Sequence, residues 1–464
     1  MSRMESGQDD RVRKYQECLL KSPRMYRIVD SMQVPAEDVA AVVSSHVLGP
    51  ALGGFVLWIL QEAVKSGKRR LYFLARDGYL MYRAALIFCE KFRLPIECRY
   101  VSVSRYSIRI PMFHLNLDAA LGYVCRGGID VTLEKVLSRA GLTQEEREKV
   151  LASLDRTLEP NAVIPFAKLP EIRRQLGKCR IFQNYMMKHS KDAMPGLAGY
   201  LRQEGMLEDI PDAIVDSGWT GSMQKLLGDA LSQLGRTREL EGYYWGLYEL
   251  PPKERLPAYH CYFFDPGRHL QEKVYFNNCL FEAVYSAPHG MTLGYRNEGG
   301  QYVPLYGTAG EGRNEFVKGI ERVVMEYIHR LAEEIGERGF ERAACLEDKE
   351  TIRQLLKRFM GEPSRAEAEV FGSLPFSDDV LEGGEQPVAA LLTERELTAN
   401  HLLHKLLVMS GRRDGSIRES AWYEGSVVRC GRHVRRHLRQ HVLYQYLRYI
   451  RKMFAFQRDR REHK

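Results

Sequence analysis

Three short stretches place charged and hydroxyl side chains directly after apolar runs, the pattern that brings chemistry to the carboxyl edge of a parallel sheet. In LYFLARDGYL the run 71 to 75 ends in Arg76, Asp77 and Gly78, a cation, a carboxylate and a flexible glycine. In YVSVSRYSIRIP, Ser104 and Arg105 leave a β-branched run, and an arginine there can grip a phosphate or carboxylate by two prongs. The most specific stretch is AIVDSGWTGSMQKLL, where Asp216, Ser217, Gly218, Trp219, Thr220, Gly221 and Ser222 turn a strand into a helix. The unpaired N–H groups and dipole of such a helix start favour a phosphate, and Asp216 would hold a sugar hydroxyl or a Mg²⁺ ion. In FNNCLFEAVYSAPHGMTLGY, Glu282 and His289 are residue types that burial and neighbours tune toward neutral pH for acid/base work. Each has a plainer alternative. Asp77 can simply cap a helix and pair with Arg76, Arg105 can be a surface cation, Trp219 a core ring, and His289 a structural residue beside a proline turn.

These residues need strands to carry them. LYFLA (71 to 75), CRYVSVS (98 to 104), DAIVD (212 to 216), GYYWGLY (242 to 248) and HCYFF (260 to 264) read as buried strands. The first two are a helix-length apart and form a βαβ unit with parallel strands. The expected fold class is therefore α/β, a mostly parallel sheet of about five strands with a large helical insertion and a helical C-terminal region. The expected divisions are a polar, frayed lead-in over 1–35, then a first α/β half over 36–116 and a helical insertion or cap over 117–206. A second α/β half over 207–300 precedes a helical region over 301–373, a linker over 374–388, a helical segment over 389–428 and a basic amphipathic tail over 429–464.

Composition supports a folded, reducing-compartment protein. With 44% hydrophobic residues, disorder is not the default. The nine cysteines are odd in number, scattered and never spaced C-x-x-C, which argues against a disulfide framework or zinc knuckle and fits the cytoplasm. The polar start is no secretory signal. From Val39 to Gln61 there is no Asp, Glu, Lys or Arg, long enough to span a membrane. Gly49-Pro50 and Gly53-Gly54 interrupt that run, so a buried helical hairpin is expected instead.

The net charge of +8 is uneven: residues 429–464 hold twelve Lys and Arg against two acids, a surplus of ten, leaving about −2 elsewhere. In the tail, Val434, Leu438, Val442, Tyr446, Ile450 and Phe454 recur every four residues, with arginines around them. That pattern suits an anionic membrane surface, giving a peripheral inner-membrane location, or docking on the protein itself. No nucleic-acid motif accompanies the charge, which disfavours nucleic acid as a partner.

On GPALGGFVLWIL, LYFLARDGYLMY, YVSVSR, VDSGWTGSMQ and FEAVYSAPHGMTLGY, the chain from about Ala40 to Tyr295 resembles the non-phosphatase module of bacterial predicted HAD-superfamily hydrolases associated with surface-polysaccharide genes. The resemblance implies a phosphate-ester hydrolase or transferase acting on a phosphorylated sugar or nucleotide-sugar ligand with Mg²⁺. The D-x-D pair of HAD phosphatases is missing, since Gly218 stands two residues after Asp216. A looser similarity, of geometry only, is to type I phosphoribosyltransferases. The alternative expectation is a non-catalytic ligand sensor or scaffold docked at the membrane beside glycosyltransferases.

Overall fold

The computed structural model describes residues 2–127, 131–154, 159–252, 254, 256–308, 311–337, 339–343, 346–376, 386–410, 412 and 417–462. Its centre is a five-stranded sheet in the order β2-β1-β3-β4-β5, with every neighbouring pair parallel. The strands are β1 (Arg70–Leu74), β2 (Glu97–Val101), β3 (Asp212–Trp219), β4 (Gly242–Leu247) and β5 (Tyr259–Phe264). All residues of β1 and β4 are buried, which is why these strands read as continuous apolar runs. The chain moves outward from β1 to β2, then returns to the opposite side of β1 for β3. Strand order therefore reverses between β1 and β3, and a crevice opens there at their carboxyl ends.

Side chains alternate across the sheet. Leu71, Phe73, Val215 and Trp245 point into the largest core. That core is closed by α1 (Ser2–Leu19), α2 (Pro23–Met32), α3 (Val39–Val43), α4 (Gly49–Lys65) and α5 (Gly78–Phe92), and later in the chain by α15 (Glu311–Ile335), α16 (Leu346–Leu356) and α17 (Arg365–Gly372). The other face, with Tyr72, Leu74, Ile214 and Tyr244, packs on α6 (Arg105–Met112), α11 (Arg180–Gln203) and α12 (Ser222–Gln233). Between β2 and β3 the chain builds the expected insertion, α7 (Leu117–Val124), α8 (Leu133–Arg139), α9 (Gln144–Ser153) and α10 (Leu169–Leu176), which with the first half of α11 has its own core around Val136, Leu137 and Phe182.

Four expectations need correction. The lead-in carries two helices rather than a frayed segment: α1 and α2 bury Tyr15, Leu19, Met25 and Ile28 against the main core. The apolar run is one continuous helix, Val39–Lys65, with a wide turn at Ser44–Leu48 joining α3 to α4. Such a turn lets the chain pass Pro50, which has no N–H to give. Gly49 and Gly53 are contact points, since a side chain there would collide with Tyr327 and Leu331 of α15. The helix is long and apolar enough to cross a membrane, yet 78% of its most apolar window is buried in the protein.

The third correction is a hairpin, β6 (Thr292–Glu298) and β7 (Gln301–Tyr306), where helix was expected beyond 300. It follows two short helices after β5, α13 (Leu270–Tyr275) and α14 (Asn278–Val284). The proposed linker contributes β8 (Pro375–Phe376) and β9 (Gln386–Pro387), while 377–385 lie outside the described residues. The helical segment contains α18 (Glu394–Ala399), α19 (Leu402–Met409) and α20 (Tyr423–Cys430), followed by α21 (Val434–Glu462) in the tail.

The fourth concerns the faces of α21. Val434, Leu438, Val442 and Tyr446 do pack inward, together with buried Tyr449, but Ile450 and Phe454 are exposed. They belong to a second stripe with exposed Leu443 and Leu447. At about 100° per residue these four positions fall on a separate side of the helix.

Candidate functional site

The carboxyl ends of β1 and β3 lie side by side and both bend into left-handed backbone. Arg76 has φ +73 and Trp219 φ +73, flanked by Gly218 at φ +112 and Gly221 at φ +62. Bulky residues adopt this conformation only at a cost of about 1–3 kcal/mol, and such strain gathers at functional sites. The bend in the first motif is thus made by Arg76. Gly78 is instead a buried start of α5 pressed against the backbone of Phe73.

This geometry brings Asp216 and Glu282 each within electrostatic reach of Asp77, with Arg105 acting on Asp216 and both Arg76 and Arg105 acting on Glu282. All three acids are half-buried. Asp77 does not cap α5 through its side chain; its Oδ2 accepts a hydrogen bond from buried Ser217. The Trp219 indole N–H donates to Glu282 Oε1 while the ring packs among Tyr248, Phe276 and Phe281. Trp219 is therefore both core ring and anchor for an acid.

Burial and then repulsion from Asp77 raise Asp216 to about 7, against the pull of Arg105 and the N–H groups of Ser217 and Gly218. Burial, again followed by Asp77, raises Glu282 to about 8, against Trp219 and the two arginines. Near neutral pH these acids therefore hold protons for much of the time. With both protonated, Arg76 and Arg105 outweigh Asp77 by one positive charge, so an anion can approach despite three acids.

Gly221 is the N-cap of α12 and no side chain caps the helix, whose N–H groups are left for another acceptor. Thr220 donates to Ser222 at 3.0 Å, and both are half-buried. Ser104, by contrast, is a structural tie between elements. Its side chain caps α6 and donates to the carbonyl of Thr292 at 2.6 Å, joining β2 to the hairpin.

His289 joins the constellation through residues that the sequence pattern did not single out. Its Nδ1 lies 2.8 Å from the Gly290 carbonyl, so it carries the hydrogen. Nε2 then accepts from Tyr100 O–H at 2.7 Å, and the same hydroxyl accepts the Arg76 backbone N–H at 3.0 Å. Tyr306 of the hairpin stacks on the imidazole at 4.2 Å. Burial lowers the His289 pKa. Both ring nitrogens are engaged, so this histidine positions Arg76. Tyr100 was legible only as a strand residue because its partners, His289 and the Arg76 backbone, are distant in sequence or carry no side-chain signal.

Among the described residues no group of three or more His, Cys, Asp or Glu side chains is arranged to hold a metal ion. Asp216 is thus not part of a ready-made three-ligand metal site. Arg105, Trp219 and Thr220 open onto a cleft of about 940 Å³ that continues to α20 and α21. No protein-family model matches the chain, and no curated protein matches it in sequence.

Proposed function

We propose that the chain is an enzyme that transfers or hydrolyses a phosphate ester, with a phosphorylated sugar or nucleotide-sugar as substrate, in cell-surface polysaccharide assembly. The observation that carries the reading is the convergence of Asp77 and Asp216, from adjacent strands, beneath Arg76 and Arg105 at the switch point of the sheet. Two carboxyls of neighbouring strands take the place of a D-x-D pair, in keeping with the resemblance to HAD-like hydrolases. The arginines and the start of α12 hold the phosphate. Asp77 accepts the proton of the attacking water or hydroxyl as its oxygen bonds phosphorus. Asp216 gives its proton to the departing oxygen as the old P–O bond breaks, and exchange with solvent restores both.

The test is turnover of a panel of sugar phosphates by the parent chain and by Asp216→Asn and Arg76→Ala. Each variant should lose at least about a hundredfold, the usual worth of a positioned acid or base. Variants that bind and turn over the panel as the parent does would sink the reading.

A second reading, a non-catalytic ligand sensor held at an anionic membrane, is favoured by one observation. Leu443, Leu447, Ile450 and Phe454 form an exposed apolar stripe on α21, and Arg436, Arg439 and Arg451 are exposed on the same helix. The tail's surplus of ten positive charges opposes pairing with a second copy and suits anionic lipid. Vesicles containing phosphatidylglycerol should sediment the parent chain but not a Leu443→Gln, Leu447→Gln, Phe454→Gln triple variant. Equal sedimentation of the two chains would rule this docking out.

A further inference from the structure

The cleft beside the carboxylates has two chemically opposite ends. Its walls carry seven Lys and Arg residues and three acids, and the distribution is uneven. Glu249 pairs with Lys452 at 3.2 Å, Glu419 with Lys405 at 3.0 Å, and Glu424 with His441 at 3.3 Å, each taking its partner from the C-terminal helices. At the sheet edge and insertion, Arg105, Arg126, Lys135 and Arg139 line the cleft, and the one acid lining it there, Glu249 just past β4, is neutralised by Lys452. That end suits phosphate.

The far end asks for hydrogen-bond donors. Glu424 is only 6% exposed. Its Oε1 meets His441, whereas its Oε2 is buried without a hydrogen-bond partner. Gln445 Oε1, one helical turn beyond His441 on α21, is also buried without a partner. A buried acceptor left unsatisfied is costly, and a ligand hydroxyl is the group that would satisfy it while a second phosphate would be repelled by Glu424. Between the two ends the floor is aromatic: Trp219, Tyr248 and Tyr449 follow one another at centroid separations of 6.2 and 5.1 Å. The volume of about 940 Å³ is near the top of the range for ligand pockets, more than a monosaccharide phosphate needs.

We propose that this cleft binds a phosphorylated, polyhydroxylated ligand longer than one sugar, with phosphate at Arg105 and Arg126 and hydroxyls donating to Glu424 and Gln445. The proposal rests on the phosphate-ester reading above and names the substrate class of that site. A sugar nucleotide and an oligosaccharide phosphate share the required chemistry, so the experiment includes both.

Calorimetric binding to the full chain is measured for inorganic pyrophosphate, glucose 1-phosphate, UDP-glucose and maltotriose 1-phosphate. At least one of the two long probes should bind about ten-fold tighter than the two short ones, and which one does so identifies the source. Gln445→Leu and Glu424→Gln should each weaken that long probe about ten-fold, the worth of one hydrogen bond, and leave glucose 1-phosphate unchanged. Arg126→Ala should weaken all four. Long probes that bind no tighter than the short ones, or not at all, would overturn the proposal, as would indifference of both Gln445→Leu and Glu424→Gln. Long-probe binding that depends on Gln445 but never leads to turnover would defeat the catalytic reading and leave this one standing.

Discussion

Asp216 and Glu282 keep their protons into the neutral range because the protein desolvates them beside Asp77. A carboxyl whose pKa is higher in the folded chain binds more protons there than in the unfolded chain, so stability falls as pH rises. For Asp216 the loss runs from its ordinary value near 3.8 through about 7, and for Glu282 from 4.5 through about 8. Asp216→Asn removes one such charge. It should stabilise the chain at pH 8.5 by on the order of 1–2 kcal/mol, a figure discounted for the water reaching a half-buried group, and by nothing at pH 4. Thermal denaturation of both chains at the two pH values measures this, and a pH-independent difference would refute it. Catalysis has the same origin: if Asp216 is the proton donor, kcat should decline above about pH 7. A rate that climbs steadily to pH 9 would assign the donor elsewhere. At this scale much was legible in the sequence. Strand-end residues Arg76, Asp77, Arg105 and Asp216 announce themselves because an apolar run ends on them. Their roles were less legible, since Ser217, Trp219 and His289 turn out to be holders of other groups, and a side chain's partner across the sheet leaves no mark on its neighbours in sequence.

The elements hold the site through a few tight junctions. Arg236 forks onto Asp212 at 2.6 and 2.8 Å at the start of β3, with both side chains buried. Arg236→Ala would strand that carboxylate and cost about 3–5 kcal/mol, readable as a shift in urea midpoint. The hairpin junction is subtler. Gly199 of α11 lies so close to Tyr302 of β7 that any side chain would fall within the ring. Gly199→Ala should cost about 1–3 kcal/mol by overpacking. It should also lower turnover, because β7 carries Tyr306, which stacks on His289 and so bears on Arg76. Unchanged activity in a measurably destabilised Gly199→Ala chain would break this link. The five strands could be read directly from their apolar runs, to within a few residues. The hairpin could have been found, since Gly299-Gly300 sits between two strand-like runs. The N-terminal helices were harder. α1 is polar along most of its length and is fixed by contacts such as Tyr15 to Glu367 and Arg11 to the Ala36 carbonyl. No local periodicity signals a helix buried by such distant polar partners.

Across the whole molecule, separate cores serve one opening. The sheet edge supplies the aromatic floor of Trp219 and Tyr248, the insertion supplies cations, and the C-terminal helices close the far wall. Sequence periodicity reads the tail as a single apolar face. The inward face is fixed by Tyr449, which stacks on Tyr248 at 5.1 Å. Deleting 434–462 should therefore weaken the long phosphorylated probes while sparing glucose 1-phosphate. Equal loss for both in a folded truncated chain would show that the wall matters only for stability.

The stacking of Tyr449 on Tyr248 also has a temporal side. The two rings are about two hundred positions apart, and a ribosome delivers roughly 5–20 residues each second. A nascent chain halted before Val434 could already display strained strand ends and their acids, yet would lack the surface that retains an extended guest. Ligand capture would then arrive only some ten seconds or more after Tyr248 itself emerges.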